Sequence, residues 1–196
     1  APGGAGRLAI RIREPLGVIA AITPFNFPLN LSLHKIGPAI AAGNAVVHKP
    51  ASATPLTALR LRGLFAEAGL PAGALQTLVG SGAELGAALA DAPWINMLTF
   101  TGSAPVGWEL RARAPRKKVT LELGNNGAVV VLADADLALA VEGCVRGAYA
   151  HSGQTCISVQ RIFVEASVEA DFSRRFTAAA AQLRLGHPLG EETDLC

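Results

Sequence analysis

Short apolar runs alternate with longer helical stretches along the 196-residue chain, and this alternation constrains the fold more than any other feature. Residues 17–23 (GVIAAIT) form a continuous apolar run that ends at a proline, as expected for a strand buried on both faces. A helical stretch over 29–42 follows and ends at Gly43. Strands that alternate with helices at this spacing predict a parallel sheet with helices packed on both of its faces.

The same pattern continues as far as residue 123. Residues 7–13 (RLAIRIR) alternate polar and apolar side chains, which is typical of an exposed or edge strand. The predicted strands are 7–13, 17–23, 44–49, 75–79, 95–100 and 118–123. The predicted helices are 29–42, 54–68, 83–90 and a segment from 103 or 105 to 113. This order predicts an α/β fold built on a doubly wound parallel sheet.

The pattern restarts after a turn rich in glycine and asparagine at residues 124–127. Beyond this turn we predict a strand over 128–132, a helix from Asp136 to about 150, a strand near 160–165 and a long helix to about 185. We therefore expect a domain boundary at the turn. Residues 1–124 would form one domain, and residues 125–196 would begin a second α/β domain.

Charge and cysteine content exclude several classes of function. The net charge is +2 and the basic residues are scattered, apart from Arg116–Lys118, so we expect no nucleic-acid partner. No apolar run reaches the length of a membrane span and no signal peptide opens the chain, so we expect no membrane association. The three cysteines are far apart and form no C-x-x-C pair, which argues against disulfides and metal sites and favours the cytoplasm.

Two of the cysteines occupy different sequence contexts. Cys144 belongs to an apolar stripe at helical spacing with Leu137, Val141 and Ala148, so we expect it in the core. Cys156 follows a glycine and a glutamine between a predicted helix and a predicted strand, so we expect it in a turn. Turns between rigid elements are where catalytic side chains concentrate, which makes Cys156 a candidate nucleophile rather than apolar filler.

A thiol nucleophile that attacks a carbonyl needs a base and donors for the developing oxyanion. Glu122 ends a predicted buried strand and is either a general base or one member of a buried ion pair. Asn26 lies in the stiff segment TPFNFP and is either a preorganised amide donor or a turn former. His151, five residues before Cys156, suggests a rival Cys-His hydrolase that needs no cofactor.

Two further features predict a ligand at the edge of the sheet. The glycine-rich stretch FTGSAPVG (100–107) follows a predicted strand and opens a helix, where backbone N–H groups can approach a phosphate. Lys49 emerges from the carboxyl end of a predicted strand, where ligands bind in such sheets, although a solvated charge explains it equally well.

Four segments in register resemble the NAD(P)-dependent aldehyde dehydrogenase superfamily. They are residues 15–59 with TPFNFP and HKP, FTGSAPVG at 100–107, VTLELG at 119–124 and GQTC at 153–156. The resemblance implies a Rossmann-like cofactor domain followed by the start of a catalytic domain. It also implies that Cys156 is the nucleophile, Glu122 the general base, and Asn26 an oxyanion donor beside the Cys156 backbone N–H.

The resemblance also implies residues that bind the cofactor, NADP or NAD. Lys49 would bind the adenosine ribose, Gly82 would line the adenine pocket, and Gly102 with Ser103 would contact the pyrophosphate. The cofactor-binding residues implied are Thr23, Pro24, Phe25, Lys49, Ser52, Gly82, Gly102, Ser103 and Leu123. NAD-preferring relatives commonly have a glutamate where this chain has Ser52, so we expect a preference for NADP. Ser52 could equally be the cap of the helix that begins near Thr54.

The implied reaction oxidises a small or hydroxylated aliphatic aldehyde to a carboxylic acid through a thiohemiacetal and a thioester. Such enzymes are usually homo-oligomers and much longer than this chain, so the resemblance implies that the chain is a fragment. One departure is Asn125, which replaces the usual second glycine after E-L-G. Two alternatives remain: a non-catalytic protein that keeps the fold for binding, and an acylating relative that passes the thioester to coenzyme A. Glu122 argues against the latter.

Overall fold

The computed structural model describes residues 6, 8 and 10–196. The chain forms two compact units. The first comprises the described part of Ala1–Thr101 together with Pro105–Leu121. The second comprises Gly102–Ala104 together with Glu122–Cys196. No helix in the described ranges is both long and apolar enough to cross a membrane.

A five-stranded parallel sheet organises the first unit, and its strand order is β3-β2-β1-β4-β5. The strands are β1 (Val18–Ile22), β2 (Ala45–Lys49), β3 (Leu75–Thr77), β4 (Met97–Thr101) and β5 (Lys118–Glu122). The helices between them are α1 (Asn30–Ala41), α2 (Pro55–Glu67), α3 (Gly82–Asp91) and α4 (Ala104–Arg113). The predicted α/β class with a doubly wound, Rossmann-like sheet is confirmed. The strand order reverses at β1, and ligands bind beside such a reversal in sheets of this kind.

The central strand β1 carries small side chains where the sheet is most deeply buried. Ala20 and Ala21 are completely buried. Strand β1 pairs with β2 from Val18 opposite Ala45 to Ile22 opposite Lys49, so the two carboxyl ends lie side by side. The core on this sheet consists of Ile19, Ala21, Ile36, Ala39, Val46, Leu61 and Leu75.

A glycine and an asparagine set the turn from α1 into β2. Gly43 has a φ of +79°, and its N–H donates to the Ile40 carbonyl 2.9 Å away, which closes the end of α1. Asn44 then donates from its side chain to Ala39 O and accepts from the backbone N–H of Gly17. These bonds fix where β2 begins relative to β1.

The second unit contains a two-stranded parallel sheet. Its elements are β6 (Gly127–Val131), α5 (Leu137–Tyr149), a 3-10 turn (Ala150–Gly153), β7 (Val159–Val164) and α6 (Glu169–Ala180). Asp136 caps α5, because its carboxylate accepts from the N–H groups of Ala138 and Leu139. The small core consists of Val131, Val141, Cys144 and Phe172, which confirms the predicted burial of Cys144.

Three predictions about the elements are wrong. The strand expected over 7–13 is absent from residues 8 and 10–13, which have no regular structure, while residues 7 and 9 lie outside the described residues. The last helix ends at Ala180 instead of near 185. Beyond this end, Arg184 is bonded to Asp194 through both its backbone N–H and its guanidinium group instead of continuing the helix.

The third wrong prediction is the burial of β5. Its residues alternate between exposed and half-buried, because β5 is an edge strand of the sheet. Glu122, the last residue of β5, is exposed. A buried ion pair at this position, one of the two alternatives for Glu122, requires burial that the structure does not provide.

Candidate active site and cofactor site

Cys156 lies in the turn that leads into β7, as predicted. Its side chain is exposed. The turn is closed by a backbone hydrogen bond of 3.2 Å from Ser158 N–H to Thr155 O, and Ser158 itself is buried. Cys144, in contrast, is 3% exposed, and burial raises the pKa of its thiol. Burial therefore shields the Cys144 thiol from reagents and disfavours its thiolate, whereas the Cys156 thiol is accessible.

The backbone before Cys156 is strained in a way that the sequence did not indicate. His151 and Ser152 both have a φ of 54°, and Gly153 has a φ of 71°. Residues with side chains avoid this left-handed region, and each such conformation costs about 1–3 kcal/mol. Only Gly153 gave a signal in the sequence. Strain of this kind concentrates at functional sites, and the turn that contains Cys156 follows it in the chain.

Glu122 lies beside the glycine-rich stretch in the second unit. The Gly102 N–H donates to the Glu122 carbonyl oxygen at 3.0 Å, so this N–H is occupied by the protein's own backbone. Ser103 is exposed at the start of α4 and Leu123 is half-buried after β5. The candidate base Glu122 is therefore hydrogen-bonded through its backbone to Gly102, which Ser103 follows, and it is adjacent to Leu123 in the chain.

Asn26 lies in the segment that joins β1 to α1, residues 23–28, which we call the Asn26 loop. Thr23 is buried at its start, and its N–H donates to Lys49 O at 3.1 Å. The Asn26 side-chain oxygen accepts from the Phe27 N–H at 3.1 Å. This bond fixes the orientation of the carboxamide, and with it the direction of the NH2 group, which is its hydrogen-bond donor. Pro24 is half-buried and Phe25 is exposed.

Lys49, Ser52 and Gly82 come together at the carboxyl ends of β2 and β3 in the first unit. Lys49 is buried, and this burial lowers the pKa of its ammonium group. A Cβ atom added at Gly82 would stand 3.7 Å from the Lys49 Nζ, so the glycine keeps the space beside the ammonium open. A charged donor with open space beside it suits the hydroxyl groups of a ribose.

Ser52 does not cap a helix, so that alternative for it is wrong. The N-cap of α2 is Thr54. The Ser52 hydroxyl donates to the Gly80 carbonyl oxygen at 2.7 Å and so joins the Lys49 segment to the turn before α3. Because its proton is used there, Ser52 can only accept a hydrogen bond from a ligand in this conformation.

A buried polar cluster under the Asn26 loop was missed by the sequence reasoning. His48 is completely buried, and its Nε2 lies 2.9 Å from Thr23 Oγ1 and 3.2 Å from Ser32 Oγ. Burial, and secondarily the charge of Lys49, lower the pKa of His48 to about 4. The imidazole is therefore neutral at pH 7. The only sequence signal was a histidine within an otherwise apolar strand.

The described residues contain no group of three or more His, Cys, Asp or Glu side chains that could hold a metal ion.

A parallel sheet with a buried lysine and a glycine at its carboxyl edge, followed by a unit with an exposed cysteine in a turn, is the arrangement expected of a dinucleotide-dependent enzyme. The model of the aldehyde dehydrogenase family matches residues 1–196, and the chain belongs to this family.

Individual relatives agree with this assignment. The chain is 49% identical over 195 residues to a 3-sulfolactaldehyde dehydrogenase of Priestia aryabhattai, with 100% of this chain and 41% of the relative covered. A structure of a glyceraldehyde-3-phosphate dehydrogenase of Methanocaldococcus jannaschii, complexed with NADP, superposes with a TM-score of 0.89 at 44% identity, covering 94% of this chain and 41% of that one. A NAD-dependent aldehyde dehydrogenase of Sinorhizobium meliloti superposes with a TM-score of 0.89 at 40% identity, covering 93% and 37%. The chain thus spans about two fifths of the length of these relatives.

Proposed function

We propose that this chain supplies the nucleophile, the oxyanion donors and the cofactor contacts of an NAD(P)-dependent aldehyde dehydrogenase. The observation that carries the proposal is the position of Cys156, an exposed thiol in a turn that begins shortly after three residues with left-handed backbone. Membership of the family supports it. The substrate is a small aldehyde, and the product is the corresponding carboxylic acid.

The chemistry follows from the proposed roles. The Cys156 thiolate adds to the aldehyde carbonyl and forms a thiohemiacetal, whose oxyanion accepts hydrogen bonds from the Asn26 NH2 group and the Cys156 N–H. The bound dinucleotide supplies the acceptor for the hydride that leaves this carbon, and a thioester remains. Glu122 then takes a proton from a water molecule, which attacks the thioester, releases the acid and restores the thiol.

The exposure of Glu122 is compatible with this role, because a base for hydrolysis must reach water. Glu122, the last residue of β5, begins the main segment of the second unit, and Leu121 is the last residue of the first unit. We accordingly propose that residues 1–124 belong to a dinucleotide-binding domain and that residues 125–196 begin the catalytic domain.

The proposed cofactor site uses Lys49 and Gly82 for the adenosine half, with Ser52 beside them. Thr23, Pro24 and Phe25 line the cleft at the end of β1, and Gly102, Ser103 and Leu123 contact the rest of the dinucleotide. NADP is the favoured cofactor, because Ser52 places no negative charge beside a 2′-phosphate.

The proposed substrates are small hydroxylated aldehydes. The names of two relatives support this class, since 3-sulfolactaldehyde and glyceraldehyde 3-phosphate are both 2-hydroxyaldehydes. The free thiols support a cytoplasmic location, and membership of the family supports a homo-oligomer.

The direct test is the substitution Cys156→Ser in the intact enzyme, with Cys196→Ser as the matched control because Cys196 is also an exposed thiol. Cys156→Ser should lower aldehyde-dependent reduction of NADP by more than about a thousandfold, since the nucleophile is lost. Cys196→Ser should retain activity. Aldehyde oxidation that survives Cys156→Ser would contradict the proposal, and an intact enzyme that hydrolyses esters but oxidises no aldehyde would favour the Cys-His alternative with His151.

A further inference from the structure

The His48 cluster holds the Asn26 loop at both ends. His48 Nε2 contacts Thr23 Oγ1, at the first residue of the loop, and Ser32 Oγ, in the first turns of α1. Ser32 Oγ in turn donates to the carbonyl oxygen of Pro28, the last residue of the loop, at 2.6 Å. One imidazole therefore reaches the start of the loop directly and its end through one hydroxyl group.

The hydrogen bonds determine the tautomer of the imidazole. The single proton of the Ser32 hydroxyl is used by Pro28 O, so Ser32 Oγ can only accept from His48. Nε2 consequently carries the proton and shares it between Ser32 and Thr23. Nδ1 is then an acceptor, and it is buried with no hydrogen-bond partner among the described residues.

Keeping this histidine is costly for the fold. A buried acceptor without a partner costs about 1–3 kcal/mol, whereas an apolar side chain of similar volume would leave no such group. What the imidazole provides in return is the shared Nε2–H. The prolines at 24 and 28 limit the loop further, because each fixes its own φ.

We propose that His48 is a positioning residue, whose Nε2–H fixes both ends of the Asn26 loop and thereby aims the Asn26 NH2 group at the developing oxyanion. This inference rests on the proposed function, in which Asn26 is that donor. His48 itself touches neither substrate nor cofactor. Its effect is on the chemical step, because an oxyanion donor displaced by about 1 Å loses much of its contribution.

The test compares variants of the intact enzyme by the pre-steady-state rate of NADPH formation and by the dissociation constant of NADP. His48→Met removes the Nε2–H at similar volume, His48→Gln restores an N–H donor, and Ser32→Ala removes the link to Pro28. Val46→Ala is the matched control, because Val46 lies in the same strand and packs in the core without a hydrogen bond to the loop.

We expect His48→Met to slow the chemical step by about ten- to a hundredfold, with a smaller change in the dissociation constant of NADP, because Thr23 of the same loop belongs to the proposed cofactor site. Ser32→Ala should slow it in the same direction, His48→Gln should recover most of the rate, and Val46→Ala should stay close to wild type. If His48→Met does not fold, Ser32→Ala carries the test. A chemical step no slower in either variant than in Val46→Ala would overturn the proposal.

A double-mutant cycle with Asn26→Ala separates this proposal from the proposed function. Asn26→Ala alone should slow the step by about a hundred- to a thousandfold. Adding His48→Met should then have little further effect, because the donor that it positions is already absent. Fully additive losses would overturn the positioning role alone, whereas a wild-type rate in Asn26→Ala would overturn the oxyanion role in the proposed function.

Discussion

Among single residues, Cys144 and Cys156 of the second unit show how local structure decides whether a thiol is accessible. Cys144 packs with Val131, Val141 and Phe172 under α5, and burial raises its pKa. Cys156 is exposed in a turn, a few residues after the only two non-glycine residues of positive φ in the described chain. The same functional group is therefore part of the core in one place and an accessible thiol in the other.

We expect a thiol-alkylating reagent to modify Cys156 well before Cys144 in the folded protein. The reason is that Cys144 is buried and its thiolate is disfavoured there, whereas the Cys156 side chain is exposed. Peptide mass mapping over a time course measures both rates, and the exposed Cys196 reports the rate of an ordinary accessible thiol. Equal rates at Cys144 and Cys156 would be incompatible with this assignment.

Ser52 provides a residue-level test of cofactor preference. Ser52→Glu adds a carboxylate beside the proposed 2′-phosphate position and should weaken NADP by about 1–4 kcal/mol, while binding of NAD changes little. Ser52→Ala is the control, because it removes the hydrogen bond to Gly80 O without adding charge and should affect both cofactors equally. The measurement is the pair of dissociation constants for each variant. A wild-type protein that binds NAD much more tightly than NADP would show the preference to be wrong.

The lowered pKa of His48 predicts how the free energy of unfolding depends on pH. Its value falls from 6.5 to about 4 on folding, so the unfolded chain binds a proton that the folded chain excludes. The contribution is fully present above about pH 6.5 and is lost as the pH falls towards 4, by up to about 3 kcal/mol. Urea unfolding at pH 7 and pH 4.5 measures it. The loss should be smaller in His48→Gln, and an equal loss in both proteins would contradict the assignment.

At the level of secondary-structure elements, apolar periodicity was sufficient to predict most strands and helices of the first unit. The buried strands β1, β2 and β4 were predicted to within two residues, since each is a short apolar run between turn residues. The predicted strand at 7–13 failed because alternation indicates only that a segment can pair, and not that a partner strand is present. The exposure of Glu122 was missed for a related reason, because the edge position of β5 is a property of the whole sheet.

The features of the candidate site also divide into those that the local sequence predicted and those that it did not. The turn around Cys156 and the burial of Cys144 follow from local pattern and were predicted correctly. Two features were not predicted: the left-handed conformation of His151 and Ser152, and the cluster of His48 with Thr23 and Ser32. Each depends on residues that only the fold brings together. The catalytic roles of Cys156 and Glu122 stay predictions.

Lys117 tests how much the carbonyl groups at the end of α3 depend on a side-chain donor. Its Nζ donates to the carbonyl oxygens of Ala90 and Ala92, each at 2.6 Å, and to that of Leu89, around the last turn of α3. These carbonyl groups lack helical partners, and a cation there complements the negative end of the helix. Lys117→Met should lower the free energy of unfolding by about 1–3 kcal/mol.

The matched control for Lys117 is its neighbour Lys118, an exposed residue at the start of β5. Lys118→Met makes the same chemical change and should alter stability by no more than about 0.5 kcal/mol. Urea denaturation of both variants gives the comparison. Equal effects of the two substitutions would show that the α3 carbonyl groups do not depend on Lys117.

At the scale of the whole molecule, the proposed tasks are divided between two compact units. The first unit brings Lys49, Ser52 and Gly82 to the carboxyl edge of its sheet, which suits a dinucleotide. The second unit contains both the exposed Cys156 and Glu122. Family membership connects these tasks to aldehyde oxidation, and the central claim is that the two residues act in sequence on one substrate.

The most direct measurement of that claim is a rapid-mixing experiment on the intact enzyme carrying Glu122→Gln, with aldehyde and NADP. The Cys156 thiolate should still form the thioester, because only the hydrolytic water has lost its base. We therefore predict a burst of NADPH close to one equivalent per Cys156, slow turnover afterwards, and an acyl group on the Cys156 peptide by mass spectrometry. Loss of the burst together with the steady rate, or an acyl group on another residue, would contradict the account.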